Sequence, residues 1–503
     1  MAKQQPKPAP KEIPKAKAKQ KAEPAGPGFL KFLIARKQWA AWGLIGGLLL
    51  AILIFLKIYY PYPGYETDSG NYILSAITGK INGYRPYGYS GFLKFFTGIS
   101  SDVKFVSTWQ WFMTAFSVSF FLFTVKYIFP KLPRWAFYLL SVMAILNPSV
   151  IYMDSYLMSD SLFVSLTLLF LTTLLWIIYN GSYTASIAHI IVLWWCMDTR
   201  YIGLFYPVLS GAAMAWALWR RFRWVAIVGG AIPLLMLFFY YSSAKDQMKE
   251  ELGVDTFSSF GGWQAANNGV SVLPYVKVDT ALITDPMTKS IHQIVRQFPD
   301  SFFNEDAIIA TSFMWTRTYP GKACLAQYIQ QTRTPYLQAW AIMGTEMQKY
   351  GDFLQSHYRG EYIKHYILPN FKLIFKAHPI GETDTFHADA NLKQLFTSDR
   401  DSYGFKKHVF KPLTAIRQVC DSTLWVLFFI SAIAGVVMIR RLNLTLEQKL
   451  VIAALGLFVG AFCGASTIAA PINNFRYIMP IIYAVQAVPV LILGSILSGG
   501  KQD

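Results

Sequence analysis

Long apolar blocks, rather than periodic stripes, dominate the chain. Stretches without Asp, Glu, Lys or Arg recur at about the ~20 residues that a helix needs to cross ~30 Å of hydrocarbon. They predict crossings at 39–57, 105–125, 135–153, 161–179, 183–197, 201–219, 224–244, 422–439, 450–470 and 477–497. The fold class that follows is an all-α polytopic membrane protein of about ten transmembrane helices. The shortest of these, 183–197, is read as a crossing helix broken near Asp198, because otherwise the run Trp219-Arg220-Arg221-Phe222-Arg223 would change sides.

Two polar regions interrupt the blocks. The loop 58–104 holds two amphipathic stretches, near 68–79 and 89–98, that read as helices lying in the membrane interface. The insert 245–420 alternates turn signals such as Ser259-Phe260-Gly261-Gly262 with helical segments such as 336–368, and is long enough for a small domain or a lid. The domain reading is a leader (1–38), an N-terminal transmembrane module (39–244), the insert, and C-terminal transmembrane helices (421–503). There is no internal repeat and no pair of matching halves of the kind transporters carry.

Composition agrees with this picture. Of 503 residues 54% are hydrophobic and 15% charged, which argues against a soluble enzyme. The net charge of +18 does not point to nucleic acid, because residues 1–38 hold ten basic and two acidic residues in a Pro/Ala/Lys-rich leader. Such a leader cannot bury a core and is expected to be disordered, with anionic membrane lipid as its partner at about 1 kcal/mol per basic residue. Its apolar continuation has full membrane length, which reads as an uncleaved signal anchor.

Basic residues near short loops stay cytoplasmic. That places the leader, Lys126/Lys131/Arg134, 180–182, Arg220/Arg221/Arg223, Arg440/Arg441/Lys449 and both termini inside, with 58–104 and 245–420 outside. Of the four cysteines, Cys196 and Cys463 lie in apolar blocks. Cys324 and Cys420 fall in or beside the insert, where a bridge between them stays open; no CxxC is present.

This topology gathers chemistry on one side. Glu66, Asp68, Asp154, Asp160, Asp198, Arg200 and Arg476 all fall at outer ends of spans, and ionisable groups there need a reason. In Tyr65-Glu66-Thr67-Asp68-Ser69-Gly70-Asn71-Tyr72, two carboxylates two residues apart suit a metal, a sugar or a general base; a helix N-cap is the plainer alternative for Asp68. Asn147-Pro148 ends or kinks one span and Ser159-Asp160 opens the next as a cap, which leaves Asp154 in the same turn unexplained. Asp198-Thr199-Arg200-Tyr201 and Asn473-Asn474-Phe475-Arg476-Tyr477-Ile478-Met479-Pro480 each place an arginine at a span end. Such an arginine either snorkels to lipid phosphate or clamps an anionic leaving group.

In the insert, His357, Glu361 and His365 recur at four-residue spacing, and His378, Glu382, Asp384, His387 and Asp389 form a second polar cluster. Metal binding through the first set, or through Glu66 and Asp68, is weighed against a solvated amphipathic face. A divalent cation as cofactor therefore stays open.

These motifs, in this order and with common sidedness, resemble the polytopic glycosyltransferases of the GT-C fold. They resemble in particular the polyprenyl-phosphate-sugar-dependent branch, which includes protein O-mannosyltransferases and the aminoarabinose transferases of lipid A. The resemblance covers roughly 39–225 and 450–497. It implies that Asp68, in the first outer loop, is the catalytic base, and that Tyr84-Arg85-Pro86-Tyr87-Gly88-Tyr89 is the segment before a second interfacial helix. Asn147-Pro148 with Ser159-Asp160-Ser161-Leu162-Phe163 would match the family's turn between two spans. Arg200 and Arg476-Tyr477-Ile478-Met479-Pro480 would match its later arginines.

The expected function is transfer of a sugar, with inversion, from a polyprenyl-phosphate donor to a lipid, glycan or protein acceptor. The site would lie on the periplasmic side of a bacterial inner membrane. Asp68 would act as base, Glu66, Asp154 and Asp160 would face sugar, acceptor or metal, and Arg200, Arg476 with Tyr477, and Arg85 would hold phosphate. A lipid-linked glycan ligase or polymerase, a transporter or flippase of lipid-linked sugars, and a non-catalytic receptor or assembly subunit remain as alternatives.

Overall fold

The computed structural model describes residues 28–81, 85–219, 223–303, 313–316, 318–376, 385–387, 390–396, 402–404, 410–438, 442–472 and 475–499. Only the backbone is described at 67, 385–387, 390–391, 402–404 and 410–422. The described residues are overwhelmingly helical. In chain order the helices are α1 (Phe29–Ile34), α2 (Trp39–Tyr59), α3 (Thr67–Thr78), α4 (Gly88–Thr97), α5 (Val103–Ile128), α6 (Arg134–Ile145) and α7 (Pro148–Asp154). Then follow α8 (Ser159–Asn180), α9 (Tyr183–Thr199), α10 (Tyr206–Trp219), α11 (Arg223–Leu252), α12 (Ser259–Gly269), α13 (Pro286–Val295), α14 (Pro320–Thr332) and α15 (Tyr336–His357). The chain closes with α16 (Arg359–Tyr362), α17 (Leu368–Leu373), α18 (Ala390–Leu395), α19 (Phe410–Met438), α20 (Leu446–Ala469) and α21 (Ile482–Gly499). Two short strands, β1 (Thr385–His387) and β2 (Ser402–Gly404), pair antiparallel.

Among the described residues, 7 helices are long and apolar enough to cross a membrane, or 8 if the bent pair α6–α7 is one span. This is an integral membrane protein by that measure. The remaining two expected spans are shorter here: α9 has 17 residues, and the apolar part of α19 is Thr423–Met438. The bend of 40° between α6 and α7 has a local cause. Pro148 cannot donate, and Asn147 Oδ1 restarts the helix by accepting from the Ser149 and Val150 amides at 3.1 and 3.3 Å. The break after α9 falls at Arg200, whose backbone is extended (φ −151, ψ 137) and leads into a 3-10 turn at Tyr201–Phe205.

Helix α8 is the centre of the bundle. It is buried almost end to end against α5, α9, α10 and α20, which is why its sequence shows no polar stripe. One end of the bundle is tied where Gly64 lies against the 155–157 turn: its amide donates to the Ser155 carbonyl at 2.6 Å and its carbonyl accepts from Leu157 at 3.0 Å. At the other end, Gln448 donates to the Ile128 carbonyl at 2.6 Å and Lys126 lies over the Phe137 ring. The leader is not without structure up to residue 38. Phe29 and Phe32 pack edge-on against Tyr127, and Phe29 also against Trp176, because α1 is apolar enough to bury them. Residues 1–27 lie outside the described residues.

The insert has its own core, including Trp263, Phe303, Met343, Tyr350 and Leu354. Two expectations within it are corrected. Ser259-Phe260-Gly261-Gly262 is not a turn but the first turn of α12, because Gly262 serves helix packing. A Cβ there would meet the Gly344 carbonyl oxygen at 1.7 Å, and one at Gly351 would meet Ala265 at 2.4 Å. Only glycine admits this backbone approach. The segment 336–368 is not one helix either: Tyr358 (φ −115, ψ 44) ends α15, and α16, a π turn at Ile363–Ile367 and α17 follow. Cys324 is a free, buried thiol; the Cys420 side chain, the other half of the bridge considered above, lies outside the described residues.

Candidate functional site

The site grows from the start of α3. Glu66 and Ser69 form a capping box, with the Glu66 amide donating to Ser69 Oγ at 2.9 Å, so Asp68 is not needed as the cap. Asp68 instead accepts from two guanidiniums. Arg85 Nη2 reaches its Oδ1 at 2.9 Å and Arg476 Nη2 reaches its Oδ2 at 3.3 Å, the second across 408 residues of sequence. Arg476 also donates to the Tyr477 hydroxyl at 3.3 Å and lies over that ring.

Burial raises the Asp68 carboxyl, but Arg85, Arg476 and Arg200 together outweigh it and hold the group below the usual carboxylate range. Glu66 goes the other way: burial raises it and Asp68 adds to that, against the pull of Arg476. Two carboxylates two residues apart thus differ in character, with Asp68 held ionised and Glu66 the readier proton acceptor.

A second pair lies beside the first. Arg200, at the break after α9, donates through Nη1 to Asp160 Oδ1 in the first turn of α8. Neither Ser159 nor Asp160 makes a side-chain cap. Ser159 Oγ pairs with the Tyr72 hydroxyl at 2.7 Å, which binds α3 to α8.

Two of the expected acids do not join them. Asp154 is buried between α5, α7 and α8, where Thr114 donates to it at 2.8 Å and Ser161 donates to the same oxygen. It satisfies hydroxyls inside the bundle and does not line the cavity described next. Asp198 accepts from the Tyr87 and Gly88 amides and from the Tyr240 hydroxyl at 3.4 Å, so it anchors the start of α4.

A cavity of about 450 Å³ opens over these three ion pairs. Arg85, Arg200, Arg476, Tyr72, Tyr201 and Tyr477 form its polar floor. Phe163, Phe205, Phe462 and Ala465 make an apolar wall from α8, the 201–205 turn and α20, and Phe257, Ser258, Phe260, Gly261 and Gln264 bring in the insert. Among the described residues the lining holds three arginines and no carboxylate: Asp68 and Asp160 stand behind the guanidiniums they orient. That arrangement suits an anionic group.

The insert also holds the end of α20, the helix that precedes Arg476 in the chain. Asn370 in α17 donates to the Thr467 and Ala470 carbonyls at 2.8 Å each and accepts from the Ile472 amide at 2.6 Å. It thereby caps α20 and holds the chain at Ile472, four residues before Arg476.

The histidine metal reading fails on geometry. His357 ends α15, is exposed, and shares a hydrogen with the Phe353 carbonyl at 3.0 Å. His365 is buried in the π turn and stacks on Tyr275 with centroids 3.4 Å apart. The break at Tyr358 puts them off a common helical face, and no group of three or more His, Cys, Asp or Glu among the described residues is arranged to hold a metal ion. Glu66 and Asp68 are occupied by the capping box and the arginines. The cluster His378, Glu382, Asp384, His387 and Asp389 lies outside the described residues, the backbone of His387 apart.

Sequence reasoning missed Phe260, Gln264, Asn370 and Ser466 as contributors to the site. For Gln264, Asn370 and Ser466 the only signal was an amide or small polar side chain in a helical segment, and for Phe260 there was none. Compared with known proteins, the chain matches no protein-family model and no curated protein.

Proposed function

We propose that the chain is a membrane glycosyltransferase of the GT-C type, moving a sugar from a polyprenyl-phosphate donor to an acceptor with inversion. In this reading α9 and the apolar part of α19 complete ten crossings, both termini are cytoplasmic, and the cavity opens to the periplasm of a bacterial inner membrane. The observation that supports it is the convergence of Arg85, Arg200 and Arg476, from three distant segments, on one cavity with an apolar wall. A phosphate beside a lipid chain needs both.

The chemistry follows from the same groups. The donor phosphate draws the N–H groups of Arg85 and Arg476 toward itself, and Asp68, relieved of its partners, regains basicity. It takes the proton of the acceptor hydroxyl or amine. The freed electron pair bonds to the anomeric carbon as the bond from that carbon to the phosphate oxygen breaks, and the arginines stabilise the departing charge.

Mass analysis of lipids and glycans from the host with the gene deleted tests this. One species should lose a sugar, and wild-type protein should restore it while Asp68→Asn, present at normal level in the membrane, should not. No change in any glycan, or full restoration by Asp68→Asn, would overturn the reading.

A further inference from the structure

The cavity has two chemically different sides. Beyond the arginines, Ser466 of α20 is buried and its hydroxyl has no hydrogen-bond partner, although its backbone caps the helix end normally. Placed on the cavity wall, that hydroxyl is left for a ligand to meet. Gln264 lines the same cavity, its Nε2 committed to Asn268 at 2.8 Å and its Oε1 left to accept. Asn268 in turn reaches the Ile468 carbonyl at 3.4 Å, which seats α12 on the end of α20. Phe260 completes the wall, with the Arg85 guanidinium 5.8 Å from its ring centre, so that cation and ring face are neighbours.

Hydroxyl, amide oxygen and aromatic face are the groups that recognise an uncharged polyhydroxylated ring. The charged alternatives need partners that the described residues of this wall do not carry. An ammonium group would need a carboxylate, and among the described residues none lines this wall.

Resting on the phosphate reading above, we propose that Ser466, Gln264 and Phe260 form the subsite for the donor's sugar, and that this sugar is neutral rather than an amino sugar. Binding to the intact protein in lipid nanodiscs, with three probes, tests it: a short polyprenyl phosphate, the same phosphate carrying a neutral hexose, and one carrying a cationic amino sugar. All three should bind, the neutral conjugate at least about tenfold tighter than the bare phosphate, and the amino conjugate without that gain. Ser466→Ala and Gln264→Leu should each lower the gain about three- to tenfold while leaving bare-phosphate binding unchanged. Failure of the bare phosphate to bind would overturn the phosphate reading itself. Equal or tighter binding of the amino conjugate, or a loss shared with the bare phosphate, would overturn the subsite alone.

Discussion

Asp68 and Glu66 are close in sequence and respond to pH in opposite directions. Asp68 is depressed in the folded protein, so its ion pairs stabilise fully above the ordinary carboxylate value near 4 and are lost as pH falls through the lower, folded value. Asp68→Asn leaves two guanidiniums facing each other and should cost about 1–3 kcal/mol. In thermal unfolding, that deficit should be constant from pH 8 to 5 and shrink below 4. Glu66 is raised, so the proton it retains favours folding at low pH and that contribution fades as pH climbs through its folded value. Glu66→Gln should therefore gain stability over wild type on going from pH 4 to 7, and a flat difference would contradict the burial that raises it. Asp68, Asp160, Arg200 and Arg476 were legible because a charge at the end of an apolar block demands a partner, whereas Arg85 came only from the family resemblance. Asp154 and Asp198 looked the same in one dimension. That Thr114 and Ser161, or the amides of Tyr87 and Gly88, would satisfy them depends on helix packing, which no local pattern encodes.

Helix positions were readable where periodicity or composition carried them. The interfacial stretches near 68–79 and 89–98 became α3 and α4, and Asn147-Pro148 marked a real break. The end of α15 at Tyr358 was not readable, since tyrosine is no helix breaker. Two contacts decide how these elements hold the arginines. A Cβ at Gly88 would lie 2.5 Å from the Asp198 carbonyl oxygen, so Gly88→Ala must push α4 off α9 and carry Arg85 with it. We expect a loss of about 1–3 kcal/mol in thermal stability and weaker binding of a polyprenyl phosphate, whereas Gly91→Ala, with its nearest neighbour the Tyr87 ring edge at 3.4 Å, should be tolerated. Asn370→Leu removes three hydrogen bonds at the end of α20 and should lower stability by about 2–4 kcal/mol, with phosphate binding falling in parallel because the chain before Arg476 is no longer held at Ile472.

Across the whole molecule, one extensive core serves the membrane bundle and a second serves the insert, and the cavity lies where they meet. The site's ion pairs and the Gln448–Ile128 and Lys126–Phe137 contacts occupy opposite ends of the bundle. An impermeant thiol reagent should therefore label Ser101→Cys and Lys131→Cys from opposite faces of the membrane; labelling of both from one face would break the topology. Three of the four native thiols, Cys196, Cys324 and Cys463, are buried and should stay silent, and Cys420 is replaced by serine in the background used. The seam between α12 and α15 has a mechanical result. Where two helices touch main chain to main chain there is no intervening layer of side chains to repack, so the wall carrying residues 260 and 264 cannot slide or tilt by small steps. It behaves as a fixed template, and a change of ligand preference over evolution would come through exchanging the side chains it displays rather than through moving the helix that displays them.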